Sequence, residues 1–156
     1  MAKLSTPIYS AWRSAQHEKY ADVYPKIKAH LRNDMTVLDF GVGPAWFEEF
    51  LRGKGLEFKR IVGVDPDAGM TKPQKEYIEY KTSLGDVKEK FDLVIAFDSA
   101  HLSDGDLMEH VKEEGFLLAS VPLKFRAVLN NPKGNVIAQG EIGKTEKDQF
   151  VFIKKA

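Results

Sequence analysis

The chain has 156 residues, 43% of them apolar and 29% charged, and no cysteine; that suits one globular domain with a real core and excludes disulfides, thiolate nucleophiles, iron–sulfur clusters and Cys-ligated zinc. No apolar run approaches the ~20 residues that span a bilayer, and the opening Met-Ala-Lys-Leu-Ser-Thr-Pro lacks an apolar signal core, so a cytoplasmic protein away from membranes is expected. Charge balances at 23 basic and 23 acidic residues but is uneven: residues 1–33 carry net +4, residues 34–121 net −8 and residues 122–156 net +4, without the overall basic excess usual in nucleic-acid binders.

In chain order, residues 8–31 read as a helix. Ile8, Ala11, Trp12, Ala15, Tyr20, Val23, Tyr24, Ile27 and Leu31 recur at spacings of three and four, and Pro25 is expected to kink or split it. Met35–Phe40 is a buried strand. Ala45–Leu51 is a helix with Pro44 in its first turn and Gly53 and Gly55 ending it. Arg60–Val64 is a strand that runs into Asp65, Asp67–Gln74 a short, poor helix, Tyr77–Thr82 a strand and Phe91–Phe97 the most apolar strand of the chain. Ser103 with Asp106 reads as a capping box that opens a helix through Lys112, closed by Glu113–Gly115. Phe116–Val121 is a strand and Leu123–Leu129 a short helix or turn. Asn135–Gly143 and Asp148–Lys154 form a hairpin. Alternation of strand and helix predicts a mainly parallel, doubly wound α/β sheet, with antiparallel character at the terminal hairpin.

The stretch that carries chemistry is Val37-Leu38-Asp39-Phe40-Gly41-Val42-Gly43-Pro44-Ala45, a buried strand running into two glycines and a helix. Glycines there let the chain turn tightly and let a ligand approach the backbone, and the helix start favours an anionic group. Asp65 follows 22 residues after Gly43, where an acid at the tip of a second strand grips a ribose diol. A dinucleotide fingerprint starting at Gly41 would need a small residue at position 46, which is Trp46.

On these residues the sequence resembles the class I S-adenosylmethionine-dependent methyltransferases, as a small, type 11-like member, over nearly its whole length. Asp39, Gly41 and Gly43 match that family's first motif, Asp65 its second and Gly85-Asp86 the acid after its third strand. Phe91–Phe97 with His101-Leu102 resembles its fourth-strand motif, and Gly115–Pro122 its fifth strand. The resemblance implies a Rossmann-like fold and S-adenosyl-L-methionine as cofactor, held by Asp39, Gly41, Val42, Gly43, Asp65, Pro66, Asp86 and Phe97. The family's third glycine is replaced by Ala45, and the segments between strands three and four and between strands five and six are short.

These readings converge on a single domain: a helical lid over residues 1–33, a cofactor-binding half over 34–121, and a substrate-side segment with the hairpin over 122–156. The expected function is methyl transfer to an unidentified acceptor. The alternative is a non-catalytic, methyltransferase-like module acting through a protein partner. Asp98, at the tip of the fourth strand, and His101 are the candidate catalytic residues, and His17, Tyr20 and Tyr24 the candidate lid contacts. The four histidines have no metal-ligand spacing. Short loops imply an open mouth walled by the two basic ends of the chain. Lys19, Lys26, Lys124 and Arg126 are the expected contacts to an anionic or macromolecular acceptor.

Overall fold

A computed structural model describes residues 6–103 and 106–156; the first residues of the expected lid segment and Asp104–Gly105 lie outside the described residues, as does the Ile8 side chain. Seven strands form one sheet: β1 (Thr36–Phe40), β2 (Arg60–Val64), β3 (Ile78–Lys81), β4 (Phe91–Ala96), β5 (Val111–Pro122), β6 (Asn135–Ile142) and β7 (Asp148–Lys154). Their order is β3-β2-β1-β4-β5-β7-β6. β1 to β5 are parallel, and β7 enters antiparallel beside β5, with Leu118 opposite Phe152. The terminal hairpin thus supplies the antiparallel character that the sequence predicts.

Alternating side chains divide the core into two layers, because successive strand residues point to opposite faces. Val37, Ile61, Leu93, Ile95, Phe150 and Phe152 share one face, and Leu38, Val62, Val94, Ala96, Val151 and Ile153 the other. The first face is covered by helices α1 (Thr6–Ile27) and α2 (Trp46–Gly53), whose Val23, Ile27, Trp46, Phe47 and Leu51 are buried against it. Each fully buried residue of this size contributes roughly 1.5–3 kcal/mol. The second face is covered by 3₁₀ turns, chiefly Leu107–His110 and Leu123–Leu129.

Several expected elements differ. Pro25 sits in the last turn of α1, two residues before its end, and the chain then tightens into a 3₁₀ turn at Lys28–His30; the helix runs through the proline unsplit and ends soon after it. Pro44 precedes α2, because Ala45 adopts a left-handed conformation (φ 61°) and breaks the helical path between them. The expected capping box opens no helix: Asp106 itself caps one 3₁₀ turn, Leu107–His110, its carboxylate accepting from the Met108 N–H at 2.9 Å, while Ser103 ends the preceding turn, and β5 begins at Val111. Lys112, Glu113 and Glu114 are exposed and have no apolar face for a helix to bury, whereas Val111 is buried opposite Phe91. Between β3 and β4, in keeping with the short segment expected there, the chain makes one 3₁₀ turn at Leu84–Asp86.

Candidate functional site

At the C-terminal ends of the parallel strands lies a cavity of about 740 Å³, within the range of small-molecule sites. Its floor is the Gly41–Pro44 loop. One wall comes from the tips of β2 and β3 (Asp65, Pro66, Leu84), another from the tip of β4 (Phe97, Asp98, Ser99), and α1 lies alongside with Trp12, Gln16 and Tyr20.

The loop is seated by local contacts. The Gly41 and Val42 N–H groups both donate to the Val64 carbonyl, at 2.7 and 3.1 Å. Gly63 leaves space for Val42: a Cβ there would stand 2.9 Å from Val42 Cγ1. Gly41 (φ 76°) passes so close to the β4 tip that a Cβ would lie 2.7 Å from Ser99 Cβ. Ser99 in turn donates its hydroxyl to the Phe40 carbonyl at 2.7 Å. Gly43 (φ 50°) differs, because its Cβ position is open, with the nearest atom 4.0 Å away. The Asp65 carboxylate ties loop to strand: Oδ2 accepts from the Gly43 N–H at 2.9 Å and Oδ1 from the Asp67 N–H at 3.0 Å. A carboxylate has about four acceptor positions, so two remain for a diol.

The structure brings Gly41, Val42, Gly43, Asp65, Pro66, Phe97 and Asp98 together around the cavity. Asp39, Asp86 and His101 are not among its lining residues. Asp39 is buried beneath the loop with the equally buried Glu48 beside it, both of whose carboxyl oxygens lack a hydrogen-bond partner. Burial, then the neighbouring Glu48, pushes Asp39 well above the usual carboxylate range, and burial raises Glu48 as well. Asp86 is exposed. His101 stacks on Phe125, with centroids 4.4 Å apart. Of the candidate lid residues, Tyr20 lines the cavity and packs edge-on against Phe97 at 5.2 Å. Burial, with Glu48, Asp39 and Asp98 nearby, raises its hydroxyl well above 10, so it remains a donor. His17 and Tyr24 turn to Phe50, and burial lowers the His17 pKa.

None of the four residues of the expected basic wall lines the cavity. Lys19 is 1% exposed and is an internal cation, 3.0 Å from Asp148 and 3.6 Å from Asp98. Its position in α1 turns it to the C-terminal hairpin, where carboxylates replace its water. Lys26, Lys124 and Arg126 are exposed and do not line the cavity. Trp12, Gln16 and Ser99 are among the lining residues that the sequence reading did not assign to the site. Trp12 and Gln16 share the four-residue spacing that ends at Tyr20, a signal for one helix face. Ser99 carries no local signal, because its role depends on the approach of Gly41.

The model of the methyltransferase domain family matches residues 12–131. Solved structures with the same fold include the magnesium protoporphyrin IX methyltransferase of Synechocystis PCC 6803 with bound S-adenosylmethionine (TM-score 0.69, 12% identity, 100% of this chain and 87% of that one). A methyltransferase dependent on the same cofactor from Aquifex aeolicus superposes with TM-score 0.65 at 14% identity over 97% of this chain and 100% of that one. The ribosomal protein L11 methylase of Lactobacillus delbrueckii subsp. bulgaricus superposes with TM-score 0.63 at 18% identity over 90% and 80%. Among curated protein sequences, none shows significant similarity to this chain. With the glycine loop, the strand-tip acid and the antiparallel β7 all in place, and a family model matching most of its length, the chain belongs to the methyltransferase domain family.

Proposed function

We propose that this chain binds S-adenosyl-L-methionine in the cavity and transfers its methyl group to an acceptor entering beside α1. The observation that carries the reading is the Asp65–Gly43 junction. A carboxylate with unused acceptor positions faces a glycine whose missing Cβ leaves the loop open to a ligand. Gly41, Val42 and Gly43 offer backbone to the cofactor, Asp65 takes its ribose hydroxyls, and Pro66 and Phe97 supply apolar wall. Asp39 contributes from beneath the loop by holding its strand, and Asp86 stands at the rim. When bound, the cofactor supplies an already activated methyl group. The protein's own task is therefore to align the acceptor, a contribution of several kcal/mol, and to take a proton where one must leave. Asp98 lines the cavity and is the residue for that step; its Oδ2 is oriented by the Gln16 amide at 3.2 Å. Trp46 occupies the position where a nicotinamide dinucleotide requires a small residue, and it packs on Trp12 at 4.5 Å. Calorimetric titration with S-adenosylmethionine, S-adenosylhomocysteine and NAD tests the reading; tighter binding of NAD than of both sulfur nucleosides refutes it.

A second reading, a binding module that acts through a protein partner, draws on the thin second face of the sheet. There Phe125 and Val128 are exposed on the 3₁₀ segment after β5. One structure of the same fold is a putative Haloferax volcanii methyltransferase in complex with the Trm112 methyltransferase activator (TM-score 0.63, 12% identity). Cofactor binding without methyl transfer to any fraction of a cell extract would favour this second reading.

A further inference from the structure

Lys19 is fully buried, and a lysine is almost never buried without compensation. Its compensation comes from elements that are distant in sequence. Asp148, at the start of β7 and 1% exposed, lies 3.0 Å from Nζ; Asp98, at the tip of β4, 3.6 Å; and Glu146, in the β6–β7 turn, 3.7 Å. Behind them the buried Ser120 donates its hydroxyl to Asp148 Oδ2 at 3.0 Å and accepts the Asp98 N–H at 2.7 Å. The β6–β7 turn closes over the lysine stem. A Cβ on Gly143 would stand 3.0 Å from Lys19 Cγ, and the Gly143 N–H donates to Asp22 of α1 at 2.8 Å. The same helix presents Trp12, Gln16 and Tyr20 to the cavity, and Gln16 holds the Asp98 oxygen that faces Lys19. One buried cation thus connects the helix beside the cavity, the acid in its wall and the C-terminal hairpin.

We propose that Lys19, backed by Asp148 and Ser120, is the positioning residue of the cavity: it latches α1 to the hairpin and sets Asp98 in register with Gln16, so that the exit rate of the cofactor is governed by this buried ion pair. The proposal rests on the cofactor reading above. It differs from the expected basic wall in kind, since Lys19 acts through other side chains and never touches the ligand. The hairpin, far from the cofactor loop in sequence, becomes part of the device that retains the ligand.

The test uses the full chain and S-adenosylhomocysteine, with dissociation followed by stopped-flow tryptophan fluorescence, because Trp12 and Trp46 both line the cavity. Lys19→Met removes the cation, and Asp148→Asn is a milder variant that keeps the shape. Val151→Ala, on the other face of the sheet, lowers stability without touching the latch. Hydrogen exchange on the ligand-free proteins reads residues 16–22 independently. The proposal expects dissociation at least tenfold faster in Lys19→Met, faster in Asp148→Asn, and unchanged in Val151→Ala, with exchange of 16–22 accelerated only in the first two. Dissociation no faster in the two latch variants than in Val151→Ala overturns it. Should S-adenosylhomocysteine bind none of the proteins, the proposed function fails, and the latch is decided by exchange alone. Faster exchange of 16–22 in the latch variants than in Val151→Ala supports it, and equal exchange overturns it.

Discussion

Gly41 and Gly43 sit two residues apart in one loop, yet substituting them should damage different properties. Both have φ in the left-handed region, at 76° and 50°, where a residue with a Cβ costs about 1–2 kcal/mol. At Gly41 a second cost is added. The new Cβ would lie 2.7 Å from Ser99 Cβ and 2.8 Å from its Oγ, and Ser99 is 5% exposed with its hydroxyl committed to the Phe40 carbonyl. Overpacking of this kind costs about 1–3 kcal/mol, so Gly41→Ala should lose about 2–5 kcal/mol of stability. At Gly43 the nearest atom is 4.0 Å from the Cβ position, so Gly43→Ala should lose only about 1–2 kcal/mol. Its Cβ, however, would stand where the cofactor approaches, and affinity for S-adenosylhomocysteine should fall at least tenfold. Urea unfolding and calorimetry on both variants measure the two quantities. Adding Ser99→Gly to Gly41→Ala should show a coupling energy of about 1–3 kcal/mol in a double-mutant cycle, as the steric part is relieved and the backbone part remains. Equal stability losses at the two glycines, or zero coupling to Ser99, would refute the division of the loop into a packing glycine and a ligand glycine.

Ala45 carries a Cβ at φ 61°, so Ala45→Gly should raise the stability measured by urea unfolding by up to about 1 kcal/mol, the strain relieved exceeding the entropy of the added glycine. Asp65→Ala should weaken S-adenosylhomocysteine binding by on the order of 1.5–3 kcal/mol, the worth of hydrogen bonds to a charged acceptor; an unchanged dissociation constant in a folded variant would remove Asp65 from the ribose site. Burial, then the neighbouring Asp98, raises Asp148 from 3.8 to about 6. The native state therefore binds this proton more tightly than the unfolded chain, and the Asp148 contribution to stability falls as pH climbs from about 4 to about 6 and levels off above. Asp148→Asn should remove that decline, worth up to about 3 kcal/mol; parallel stability–pH curves for wild type and variant between pH 4 and 7 would contradict it.

Local rules acting on neighbouring residues made much of this protein readable. β2 and β7 lie at the residues the sequence predicts, Arg60–Val64 and Asp148–Lys154, because apolar runs bounded by turn residues have few other ways to be buried. The loop from β1 to α2 was legible for a similar reason, since two glycines after a buried strand permit backbone conformations that other residues resist. Tertiary structure alone decided what depends on partners distant along the chain. A lysine on a helix reads as solvated surface, and Lys19 is internal only because Asp98, Glu146 and Asp148 converge on it. Asp39 reads as a ligand-facing acid, but folding buries it beneath the loop beside Glu48, and both effects disfavour its charged form. Glu113–Gly115 reads as a helix end, but a buried Val111 beside Phe91 draws the segment into the sheet. In each case the local preference is worth about a kcal/mol or less, while the cost of leaving a charge unpaired or an apolar side chain exposed is larger, so the long-range contacts prevail.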